Sequence, residues 1–164
     1  MPEDRWTKVK EFVAEWFEPL GDGDGYSEEE IAAAEARLGI RLPGALREWY
    51  GFAGRWYKKI EVQNELLSPD KLFFEGRYLV FLEKSQYICT WAIRCQDISQ
   101  ENPPVYDKNS RKLEADKTTD FLFQSLCNEI ELGIGIENNA DGSPRIAYSK
   151  GLQDEVRQCL STRE

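Results

Sequence analysis

The sequence predicts an α+β fold: N-terminal helices packed on a central mixed, largely antiparallel sheet, followed by C-terminal helices. Three observations carry this. Apolar residues recur at helical spacing as far as residue 54, and the period then falls towards two, with turn residues between short runs. Helical spacing returns from residue 118. A chain of 164 residues fits one domain spanning 1–164, and no internal repeat or low-complexity tract divides it.

Taken in order, Glu3 to Leu20 places Trp6, Val9, Val13, Trp16, Phe17 and Leu20 on one stripe of a helix, with Glu11, Glu15 and Glu18 on the other side. Gly21 to Gly25 alternates Gly and Asp and breaks that helix. Ser27 followed by Glu30 is a capping box opening a second helix; Ile31, Ala34 and Leu38 face inward and Gly39 supplies the stop. Leu42-Pro43 starts a third helix, with Leu46, Trp49 and Tyr50 apolar and Gly51 and Gly54 ending it.

Tyr78 to Leu82 is apolar on both faces, as a central strand requires. Next, Tyr87, Cys89, Trp91, Ile93 and Cys95 alternate with Ile88, Thr90, Ala92 and Arg94, and form an apolar row facing the core. Pro103-Pro104 opens an extended segment through Tyr106, placed at a sheet edge because proline cannot donate to a ladder. Asn109-Ser110 turns the chain into Lys112-Leu113-Glu114. A helix capped by Thr118 or Thr119 runs through Ile130, with Leu122, Leu126 and Ile130 at i+4 spacing. Gly133 to Gly142 reads as a polar loop, Arg145 to Ser149 as a short strand, and Leu152, Val156, Cys159 and Leu160 as the stripe of a terminal helix.

The net charge of −9 is unevenly placed. Residues 1–35 hold 11 acids against Arg5, Lys8 and Lys10, a net of −8; the rest of the chain is close to neutral. That disfavours direct binding to nucleic acid or an anionic membrane and favours a basic protein partner. The apolar runs are too short to span a bilayer and the N-terminus lacks a signal-peptide core, so a cytoplasmic protein is expected. Cys89, Cys95, Cys127 and Cys159 form no CxxC pair and there is no His. Zinc spacings and His-based catalytic triads are therefore missing, and the thiols read as buried and free. Neither GxxxxGK[ST] nor GxGxxG occurs. Asp22-Gly23-Asp24-Gly25 resembles the middle of an EF-hand loop, yet that register puts Leu20 and Ile31 where calcium needs carboxylates. No catalytic residue, metal ligand or cofactor is predicted, and no specific carboxylate pair suggests a hydrolase.

Three stretches together resemble the SUKH superfamily, which includes fungal cell-wall-synthesis regulators and many bacterial immunity proteins. They are Ser27-Glu28-Glu29-Glu30-Ile31 through Glu35 to Leu38-Gly39-Ile40-Arg41-Leu42-Pro43; Gln86-Tyr87-Ile88-Cys89-Thr90-Trp91-Ala92-Ile93; and Asn102-Pro103-Pro104-Val105-Tyr106. Phe121-Leu122 is similar to the end of the pattern. The chain departs from it at Gly51-Phe52-Ala53-Gly54, at Glu83-Lys84-Ser85-Gln86 and at Ala92, where the family often has Asn-Gly, Glu-Asn-Gln and Gly. The resemblance implies a binding module without catalytic residues: an immunity protein that occludes the active site of a cognate toxin, commonly a nuclease or deaminase. The alternative it implies is a regulatory scaffold unconnected with toxins. The candidate partner-binding residues are Glu11, Glu15 and Glu18 on the first helix, Asp22 and Asp24 in the turn, and Glu83 and Gln86 in the rebuilt segment.

Overall fold

The computed structural model describes residues 4–84, 89–133 and 150–161. Its elements are α1 (Thr7–Trp16), α2 (Glu28–Leu38), α3 (Gly44–Ala53), β1 (Asn64–Leu66), β2 (Phe73–Glu75), β3 (Tyr78–Lys84), β4 (Thr90–Arg94), β5 (Val105–Asp107), β6 (Lys112–Ala115), α4 (Thr118–Gly133) and α5 (Lys150–Ser161). The order is the α+β pattern expected.

Helix α1 is shorter than the apolar stripe. Phe17 is already extended at φ −130°, and Pro19 disfavours helical backbone at Glu18, so the helix does not resume. Phe12 is also buried and meets the Phe123 ring edge-on at 5.6 Å, which widens the inward face. The α2 box forms as expected: Glu30 N–H donates to Ser27 Oγ (3.1 Å) and Ser27 N–H to Glu30 Oε2 (2.9 Å). Gly39 ends the helix at φ 71°. Glu35 then accepts Leu42 N–H at 2.8 Å, which ties α2 to the start of α3. Gly51 does not end α3; the helix runs through it to Ala53, since Ala53 is buried like Leu46, Trp49 and Tyr50 and extends their stripe. Trp6 joins α1 to α3, stacking 5.2 Å from Trp49 and 5.4 Å from Phe52 and donating its indole N–H to Glu48 (3.1 Å). Aromatic pairs of this kind contribute about 0.5–1.5 kcal/mol each beyond burial.

The strand order is β1-β3-β4-β5-β6, with β2 also paired to β3, and every pairing is antiparallel. Leu79, Val80, Phe81 and Leu82 of β3 are all fully buried, as expected of the central strand. Phe121 of α4 packs against Phe81 (5.8 Å) and Trp91 (5.7 Å), so α4 covers the sheet face carrying Trp91 and Ile93. Leu122, Leu126 and Ile130 are fully buried; α5 lies against α4, with its Leu152 and Val156 buried.

Three expectations need correction. The alternating row does not reach Cys95: β4 ends at Arg94, and Cys95 begins a 3-10 turn (Cys95–Asp97) with its side chain exposed. Cys89 is half-buried and Cys127 buried, so only Cys127 among the described thiols is the buried one expected. The strand after Pro103-Pro104 is not an edge. It lies between β4 and β6, because both prolines precede Val105 and no ladder bond is asked of them. The Gly133–Gly142 loop beyond Gly133, the Arg145–Ser149 strand, Tyr87 and the side chain of Cys159 lie outside the described residues.

Candidate partner-binding surface

The turn after α1 is held tightly against the end of α3. Tyr26 N–H donates to Tyr50 O (2.7 Å) and Arg55 N–H to Asp24 O (2.9 Å). The backbones approach so closely that a Cβ on Gly25 would stand 1.9 Å from Gly51 O, which only glycine allows. A groove of about 650 Å³ results between α1, the turn and α3. Ala14, Leu20 and Phe52 give it apolar walls, Gly51 leaves it open, and Glu11 and Asp22 stand on it as exposed carboxylates. Lys10 lines it too, but its ammonium is paired with Asp4 at 2.6 Å and lies 4.8 Å over the Phe52 ring.

Of the residues singled out from sequence, Glu11, Glu15 and Glu18 are all exposed on or just after α1, and Asp22 joins Glu11 at the groove. Asp24 is half-buried and holds the turn: its Oδ2 accepts Gly21 N–H (2.8 Å) and its Oδ1 stands 3.6 Å from Lys59. Glu83 belongs elsewhere. It pairs with Thr90 of β4 and Glu65 of β1, on the sheet face turned away from α4. Burial raises its carboxyl above the ordinary range, with Glu65 and Glu75 adding to the rise and Lys108 opposing it. Gln86 lies outside the described residues. Sequence reading missed the groove walls Ala14 and Phe52, which come from different helices; the exposed-side position of Ala14 was the available signal.

It also missed two inward carboxylates. Glu129 of α4 is fully buried, and its oxygens accept the backbone N–H groups of Val62, Gln63 (3.0 Å) and Asn64 (2.9 Å). Glu61 accepts Leu66 N–H (2.7 Å) and lies 3.4 Å from Lys58. Burial pushes the Glu61 carboxyl up to about 7, against the pull of Lys58 and of the Leu66 bond. Both side chains thus hold the segment that leads into β1. Among the described residues, no group of three or more His, Cys, Asp or Glu side chains is placed to hold a metal ion. No described helix is long and apolar enough to cross a membrane.

Compared with known proteins, residues 25–124 match the family model described as SMI1 / KNR4 family (SUKH-1), which covers more than half of the chain. No curated protein and no solved structure matches it.

Proposed function

We propose, from the premise that the chain belongs to the SMI1 / KNR4 family (SUKH-1), that it is a binding protein rather than an enzyme, and that it neutralises a basic toxin by covering its active site. The observation that carries this reading is the groove beside α1, where Glu11 and Asp22 border the apolar surface of Ala14, Leu20 and Phe52. Apolar centre and polar rim are the anatomy of a protein interface. The acidic first quarter of the chain adds long-range attraction for a cationic surface. A nuclease or a deaminase of nucleic acids presents such a surface where its substrate sits. Glu61 and Glu129 hold backbone N–H groups and do not line this groove, so neither is part of the proposed contact.

The test uses the product of the adjacent gene, purified in active form, and the triple variant E11K/E15K/E18K. Wild-type protein is expected to inhibit it and to bind with an affinity that falls steeply as salt rises. Charge reversal is expected to weaken binding by about tenfold or more at low salt and to flatten that dependence, because residues 1–35 then carry a net charge of only −2. Equal affinity and equal salt dependence in the variant would sink the helix-face assignment. A neighbouring product that is neither bound nor inhibited would sink the toxin reading itself.

A further inference from the structure

A second groove, of about 840 Å³, has the opposite charge. It is lined by Arg77 from the β2–β3 turn, Arg94 at the end of β4, and Lys108 and Arg111 from the β5–β6 loop, with Glu75 as its carboxylate. Tyr78 lines it as well and Cys95 opens onto it. Tyr78 and Arg94 alternate with Leu79 and Ile93, so these side chains occupy the sheet face turned away from α4. The four cations are not equivalent. Arg94 is paired with Asp97 at 2.8 Å and stacks 4.2 Å over the Tyr106 ring, and Lys108 is paired with Glu75. Arg77 and Arg111 are exposed and have no ion pair among the described residues. Arg111 also sits at φ 61°, a left-handed position that favours glycine or asparagine. Its loop accepts that conformation, with Arg111 N–H donating to Asp107 O at 2.7 Å.

We propose that this groove docks an acidic peptide segment of a partner protein, a contact beyond the α1 surface and opposite to it in sign. Two uncompensated guanidinium groups on two separate loops suit two spaced carboxylates, each of which an arginine can take in a bidentate pair. A polyanion such as nucleic acid fits less well. Proteins that bind it typically neutralise about 6–10 phosphates, whereas this groove offers two free charges within a chain of net charge −9.

The experiment measures binding of a labelled peptide of alternating glutamate and alanine at low ionic strength, with oligothymidylate of equal charge as the competing probe. Wild-type protein is expected to bind the peptide in preference and to shield Cys95 from alkylation, mapped by mass spectrometry. R111G and R77S are each expected to weaken binding about threefold to fivefold, and the double variant by about tenfold or more. R111G places glycine at a left-handed position, so its melting temperature should hold or rise; weakened binding there is not unfolding. Self-association of the wild type that vanishes in the double variant would overturn the partner assignment, the segment then coming from a second copy of this chain. Unchanged peptide affinity in the double variant, tighter binding of oligothymidylate, or no peptide binding at low salt would overturn it.

Discussion

Glu129→Ala is expected to destabilise the fold by about 3–6 kcal/mol. The carboxylate is fully buried on α4 and accepts three consecutive backbone N–H groups, from Val62, Gln63 and Asn64. These residues lead into β1, whose ladder to β3 therefore depends on a side chain about 65 residues further along the chain. A hydrogen bond to a charged group contributes about 1.5–3 kcal/mol, and a buried N–H left without a partner costs about 1–3 kcal/mol. Asn64 is buried and Gln63 partly so, and both count in full; Val62 is exposed, and its N–H turns to water in the variant. Two such bonds give about 3–6 kcal/mol, a fifth or more of the stability of an ordinary domain. Urea unfolding followed by circular dichroism measures the loss, and hydrogen exchange of the three amides locates it. Glu129→Gln keeps one acceptor oxygen and should lose about half as much. A loss below about 1 kcal/mol for the alanine variant, at unchanged m-value, would refute the clamp.

Burial holds the Glu61 carboxyl at about 7 rather than 4.5, so the folded state keeps its proton more tightly than the unfolded chain does. Stability should therefore fall as pH rises from about 4.5 to about 7, by about 2–3 kcal/mol. Glu61→Gln, which cannot ionise, should lose that slope in denaturation series across the window; an identical slope would show that this carboxyl is not its source. Gly25→Ala and Gly51→Ala should act in opposite directions. A Cβ at Gly25 meets backbone at 1.9 Å, for a loss of about 3 kcal/mol, whereas at Gly51 the nearest atom is Ile31 Cδ1 at 4.0 Å and α3 gains about 0.5–1 kcal/mol. Thermal melts of the two variants shifting the same way would contradict this close-approach geometry.

The elements that were legible are those whose signals are local. The Ser27–Glu30 box is written in four residues, and β3 is an unbroken apolar run that only a central position can bury. Strands β1 and β2 are three residues each, too short to display a period, and exist because β3 offers them an edge. Cys95 continues the letter pattern of β4 while the backbone turns there, its N–H donating to Arg77 O at 2.8 Å. Pro103-Pro104 suggested an edge through a correct rule about donors, yet both residues stand before the first paired position. Glu129 is the plainest case of a side chain unreadable from its own helix. The stripe of Leu122, Leu126 and Ile130 is apparent, but the amides that draw an adjacent carboxylate inward belong to a distant loop.

The two grooves explain why the acidic surface was legible and the basic one was not. Glu11 and Glu15 lie one turn apart on α1 and Glu18 follows just after it, so the helix's apolar stripe already assigns them to the solvent side. Arg77, Arg94, Lys108 and Arg111 are spread over three loops and strand ends in a stretch where acids and bases nearly cancel. Composition averages such charges, whereas the antiparallel ladder sorts them. The β2–β3 turn brings Arg77 beside the end of β4, and the pairing of β4 with β5 sets the Lys108–Arg111 loop beside the start of β4, from which Lys108 reaches Glu75 of β2. Glu75 and Asp97 neutralise two of the four cations within the fold. A chain whose net charge is −9 can therefore still present two guanidinium groups to an anionic partner, because at a distance comparable to the Debye length the local pair outweighs the remote excess.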